Sequence, residues 1–168
     1  PRSVWNTAVV SPPLPERPKP KRLRPGRVHR KAVLAELPAE QQPIAEEVLR
    51  GGIPAVRQAI DAQNEKRAAD GETPINSGEL LRLAESLLPR LRTAEWRDRA
   101  EAAIADGAEL DLRDLRSVVV AGDAAARDDE TRELASQLRT KLDERVVAEQ
   151  ALWLEDLQLA LDAGRIVR

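Results

Sequence analysis

The sequence predicts an all-α protein: a bundle of several short helices followed by one long C-terminal helix, preceded by an extended Pro-rich basic arm. Three observations carry this reading. From about Val28 onward, apolar residues recur every three or four positions, the period of a helix with one buried face. The hydrophobic residues make up 42% of the chain, yet Phe, Tyr, Met and Cys are absent and Trp5, Trp96 and Trp153 are the only aromatics. A core of Leu, Val, Ile and Ala lets helices approach closely. Seven of the twelve prolines fall within residues 1–27, where each removes a backbone donor and biases its predecessor to extended conformations.

The elements follow in order. Residues 1–30 form the extended arm. "VHRKAVLAELP" starts a helix at Val28 that ends before Pro38. "PAEQQPIAEEVLRGG" puts Ile44, Val48 and Leu49 on one face, and Gly51-Gly52 stops it. Pro54 then sits in the first turn of a segment whose stripe is Val56, Ala59, Ile60 and Gln63, closing at Gly71. Asn76 or Ser77 caps the next helix, with Leu80, Leu81, Ala84, Leu87 and Leu88 facing inward, and Pro89 is expected to kink or end it. Thr93 caps a further helix carrying Trp96, Ala100, Ala103 and Ile104, with Glu95/Arg99 and Arg97/Glu101 as i,i+4 pairs on its outer face. Asp111 caps another, with Asp114 three residues on as an acidic variant of the capping box. The run "SVVV" at 117–120 is the body's one β-favouring stretch; it is short, lacks a partner strand, and stays in that helix. The short-helix bundle thus covers residues 31–122. Residues 123–168 read as a long amphipathic helix, with one helix of about 40 residues and ~60 Å from Ala124 to Ala163. Leu134, Leu138, Leu142, Val146, Trp153, Leu157 and Leu161 mark its face. Trp96 and Trp153 are assigned to the core.

Charge divides unevenly along this plan. Residues 1–31 carry nine Lys or Arg and one acid, Glu16, a net of +8. Residues 32–168 carry 18 Lys or Arg and 28 acids, a net of −10, so the formal −2 of the whole hides a basic arm in front of an acidic body. Few apolar residues accompany the arm, so the body is expected to fold without it.

The chemistry of sites is sparse. Without Cys there is no disulfide scaffold, thiolate nucleophile or Cys-ligated zinc. His29 is the sole histidine and stands among Arg27, Arg30 and Lys31, a poor setting for a catalytic triad. No HExxH, P-loop or GxGxxG occurs. The carboxylates of Asp111, Asp114, Asp123 and the Asp128-Asp129-Glu130 run read as caps and solvated faces. The expectation is a non-enzymatic protein that needs no cofactor and no metal. No apolar run nears the ~20 residues of a transmembrane helix, and a cytoplasmic location without membrane attachment is expected. The chain begins at Pro1, contains no Met and ends on "GRIVR", which reads as a fragment or processed form of a longer protein, the long helix continuing beyond it.

The runs "AEWRDRAEAA" and "DLRDLRSVVVAGDAAARDDETRELASQLRTKLDERV" resemble an uncharacterised family of Ala/Arg-rich helical proteins from high-GC bacteria. The resemblance covers residues of about 38–168. It implies a helical chain continuing past residue 168 and contributes no functional residue.

Function is therefore read from the arm. Lys19, Lys21, Arg22, Arg24, Arg27, Arg30 and Lys31 lie within 13 residues. Extended Lys/Arg segments bind phosphates by releasing condensed counterions, and irregular basic segments that order on binding favour RNA over DNA. The alternative is a protein-interaction or scaffold module. There Trp5, Pro12 and Pro15 anchor a partner through overlapping P-x-x-P patterns, and the long helix supports self-association. A third arrangement lays the arm on an acidic protein surface, either the body's own in cis or that of a second copy.

Overall fold

A computed structural model describes residues 15–163. It is an all-α bundle of five helices: α1 Val28–Glu36, α2 Gln42–Ala69, α3 Ser77–Ala105, α4 Leu112–Ala125 and α5 Asp129–Asp162. Among the described residues the only β pairing is an isolated parallel bridge between Lys21 and Leu110.

Local chemistry sets most of the boundaries. α1 stops at Leu37 because Pro38 follows. α2 carries a break at Gly51-Gly52, where Gly52 takes φ 68° and ψ −157°. That conformation is open to glycine and strained for other residues. Pro54 restarts the helix where its missing N–H costs nothing. Asn76 caps α3 by accepting from the Gly78 backbone N–H at 3.1 Å. Asp111 caps α4 by accepting from Arg113 N–H at 2.8 Å, and "SVVV" lies inside that helix.

Three expectations are corrected. α3 does not end or restart around Pro89: it runs 29 residues, and Thr93 is an interior residue rather than a cap. Burial of Ala84, Leu87, Leu91, Ala94 and Trp96 on both sides of the proline holds the rod together across the lost hydrogen bond. The last helix does not begin at Ala124. The chain leaves α4 at Ala126 and starts α5 through a capping box, in which Asp128 accepts from Thr131 N–H and Thr131 Oγ1 accepts from Asp128 N–H. Trp153 is not a core residue but 63% exposed, because the buried positions of α5 end at Leu138 and the helix continues past the bundle.

The core has two clusters strung along α3. The first half of α3 packs Ala84, Leu87 and Leu91 against Leu37, Ala45, Val48, Val56 and Ile60. The second half packs Trp96, Ala100 and Ala103 against Leu110, Leu115, Val118, Ala125, Ala135 and Leu138. Trp96 donates its indole N–H to the Val118 carbonyl at 3.0 Å. A Cβ on Gly122 would lie 3.0 Å from the Trp96 ring, so any larger residue there would require the ring to give by a few tenths of an ångström.

Candidate functional site

The described part of the arm is extended and lies against the second core cluster. Pro20 and Pro25 keep this stretch out of a helix. Between them Lys21 pairs with the α3–α4 loop through two backbone hydrogen bonds: its N–H donates to the Glu109 carbonyl and its carbonyl accepts from Asp111 N–H, each at 2.8 Å. Leu23 packs half-buried on the core cluster. Of the arrangements open in the sequence, residues 17–30 take the one that lays the arm on the body's own acids in cis.

Side chains reinforce this course, and each cation that turns inward meets an acid. Arg17 reaches α5, donating to Asp156 Oδ1 at 2.7 Å and to the Leu152 carbonyl at 3.2 Å, with Glu155 Oε2 at 3.6 Å. Lys21 pairs with Glu109. This hydrogen bond and the opposed charges raise the Lys21 ammonium above its ordinary pKa and lower the Glu109 carboxyl. Asp114 accepts from Leu23 N–H at 3.0 Å and from Arg22 at 3.4 Å. The acid three residues after the α4 cap thus grips the arm rather than completing a capping box.

At the end of the arm stands Asp98, a carboxylate only 3% exposed on α3. It accepts from the N–H groups of His29 at 2.9 Å and Arg30 at 3.3 Å, and from Arg30 Nε at 2.9 Å. α1 lacks a side-chain cap of its own at Arg27, so Asp98 caps it from another helix and satisfies donors the first turn leaves free. Burial pushes the Asp98 carboxyl up, but the His29 and Arg30 hydrogen bonds and the Arg30 charge outweigh it and hold the group below the usual carboxylate range. His29 Nε2 lies 2.7 Å from Glu101 Oε1.

The seven basic residues picked from the sequence thus separate. Lys21, Arg22 and Arg30 turn to Glu109, Asp114 and Asp98. Lys19, Arg24, Arg27 and Lys31 are exposed, and their side chains have no ion pair or hydrogen bond among the described residues. Pro15 is exposed at the start of the described chain, and Trp5 and Pro12 lie outside it. The i,i+4 pairs expected on α3 are replaced by longer-range partners: Arg97 pairs with Glu130, Arg99 donates to Ser117 Oγ at 2.9 Å, and Glu101 meets His29. Asp98 was missed because nothing in the sequence separates it from the solvated acids around it. Its one signal is its place two residues after Trp96 and two before Ala100, between inward-facing positions.

Two open clefts flank α3 near Pro89 and Thr93. One, about 350 Å³, is lined by Arg92, Trp96, Arg99 and Arg127; the other, about 490 Å³, by His29, Arg90, Arg97 and Asp128. In the second, His29 is engaged by Glu101, and the Thr93 hydroxyl common to both donates to the Ala125 carbonyl. Among the described residues no group of three His, Asp or Glu is placed to hold a metal ion, and no helix is long and apolar enough to cross a membrane. No protein-family model, curated protein or solved structure matches the chain, so the site is read from its own geometry.

Proposed function

We propose that the chain is a non-enzymatic, nucleic-acid-associated helical protein, RNA favoured over DNA, that docks through the outward cations of its basic arm. The supporting observation is the alternation along residues 17–31. Arg17, Lys21, Arg22 and Arg30 bind the body's acids, while Lys19, Arg24, Arg27 and Lys31 face solvent without partners among the described residues. The paired set fixes the course of the chain, and the unpaired set stands exposed along it, with Lys19, Arg24 and Arg27 before α1 and Lys31 in its first turn. Less ordering is then needed on binding than for a free arm. Such a set suits a phosphate backbone, and its binding carries little base information.

The test is a salt titration of binding to single-stranded RNA and to duplex DNA. Changing Lys19, Arg24, Arg27 and Lys31 together to Gln is expected to reduce the log–log salt slope by up to about 3 on a single strand and up to about 3–4 on duplex DNA. Helical content is expected to stay unchanged, since these side chains hold nothing else. An unchanged slope and affinity would remove the nucleic-acid reading. The interaction-module reading would then lead, supported by the exposed Trp153 on α5. Docking of that kind depends only weakly on salt.

A further inference from the structure

We propose that the cleft between α3 and the end of α4 binds a phosphate monoester with a compact apolar or aromatic body. The charged lining of this cleft is Arg92, Arg99 and Arg127, with one acid, Glu95. Arg92 and Arg99 stand two turns and ~10 Å apart along one face of α3, and Arg127 comes from the α4–α5 turn. None of the three has an ion pair among the described residues, with Glu95 or with any other acid. Arg99 donates to the Ser117 hydroxyl at 2.9 Å; the side chains of Arg92 and Arg127 have no partner there. The other arginines of this stretch of α3 behave differently, since Arg90 pairs with Glu36 and Arg97 with Glu130. Residues 32–168 carry 28 acids against 18 Lys or Arg. Three guanidiniums gathered without an acid in such a body repel one another, and a bound anion would relieve that repulsion.

The fold fixes the walls. The Thr93 hydroxyl donates to the Ala125 carbonyl at 3.4 Å and ties the end of α4 to α3. Arg127 N–H donates to Oγ1 of the buried Thr131 at 3.0 Å, which sets the turn that carries Arg127. The Trp96 indole is held by the Val118 carbonyl. A site built in advance loses less freedom on binding. Its volume of about 350 Å³ suits one small molecule, and Leu88, Pro89, Ala121 and Ala124 offer that molecule an apolar wall. Charge selects the anion. Three guanidiniums against one carboxylate leave a formal +2, which matches a phosphate monoester at about −1.5 to −2 near neutral pH better than a singly charged carboxylate or phosphodiester. The guanidinium fork fits phosphate oxygens two at a time. Asp98, which holds the end of the arm, is the residue before Arg99 and so points ~100° away around α3. The strap is not part of the cleft, and this inference does not depend on nucleic-acid binding by the arm.

The probe is phenyl phosphate, titrated at neutral pH into the nitrogen-15-labelled chain. Saturable shifts of the Trp96 indole N–H and of the Thr93 and Ala125 amides are expected. Arg92→Gln and Arg127→Gln are each expected to raise the Kd about tenfold, with unchanged circular dichroism because neither side chain has a partner in the fold. Ala124→Glu, which adds a carboxylate to the exposed wall, is expected to abolish the shifts. Benzoate and inorganic phosphate, which lack the second charge and the apolar body respectively, are each expected to bind about tenfold more weakly or worse. Changing Lys19, Arg24, Arg27 and Lys31 to Gln is expected to leave the Kd for phenyl phosphate unchanged, whether or not the arm binds nucleic acid. Absence of saturable shifts, or the same Kd in the Arg92 and Arg127 variants, would overturn the site. Equal binding of benzoate or inorganic phosphate would overturn the phosphate monoester as its ligand. Loss of binding in the arm variant alone would place the contact on the arm and likewise overturn the cleft.

Discussion

At the scale of single residues, two tryptophans with similar sequence surroundings have opposite fates. Trp96 is 3% exposed, wedged against Gly122, with its N–H bonded to Val118. Trp153 sits on a stripe just as apolar but beyond the end of the bundle. Trp96→Ala is expected to cost about 3–5 kcal/mol in chemical denaturation, as truncation of a buried aromatic does. Trp153→Ala is expected to cost under about 1 kcal/mol, because little of the ring is withdrawn from water among the described residues. Asp98 makes a second contrast. Its carboxyl is held below its ordinary pKa in the folded state. The stability it contributes is therefore present above the unfolded pKa of about 3.9 and is lost as pH falls through the lower folded value. Asp98→Asn keeps the shape but loses one of two acceptors and the charge facing Arg30. It is expected to cost about 1–3 kcal/mol at neutral pH, and to flatten the acid limb of the stability profile followed by circular dichroism.

At the scale of elements, helices were legible where a local cap or breaker acts alone. Pro38, Gly51-Gly52, Asn76 and Asp111 each mark a boundary through the backbone groups they satisfy or forbid. Pro89 misled because its cost is local while the compensation comes from α2 and α4, which pack on either side of it. The α4–α5 break was missed for the converse reason. No Gly or Pro marks it, and only the Asp128–Thr131 reciprocal cap shows that the chain turns there. Of the candidate site, the row of cations was visible in the sequence. Which of them faces inward was not, since Asp98, Glu109, Asp114 and Asp156 come from three helices and a loop brought together only by the fold.

At the scale of the whole molecule, the basic arm and acidic body are one electrostatic unit rather than two. The strap crosses from α5 at Asp156, past the α3–α4 loop at Glu109, to α3 at Asp98, and so ties together the elements around the second core cluster. Its net worth is limited. The ion pairs at Lys21 and Arg22 are exposed, and such pairs give little each, while ordering the strap costs conformational entropy. What remains is the burial of Leu23, its N–H bond to Asp114, the half-buried Arg17–Asp156 pair and the two backbone bonds of Lys21, a net hydrogen bond being worth about 0.5–1.5 kcal/mol. Deleting residues 1–24 is accordingly expected to lower the free energy of unfolding by about 1–3 kcal/mol while leaving the helices in place. Because the attraction between strap and body is partly screened by salt, the difference between the chains with and without residues 1–24 is expected to shrink as sodium chloride rises, without vanishing. Urea titrations of both chains at two salt concentrations measure this. A difference near zero at low salt would show that the strap rests on the body without stabilising it, and a difference independent of salt would assign its whole contribution to Leu23 and the backbone hydrogen bonds.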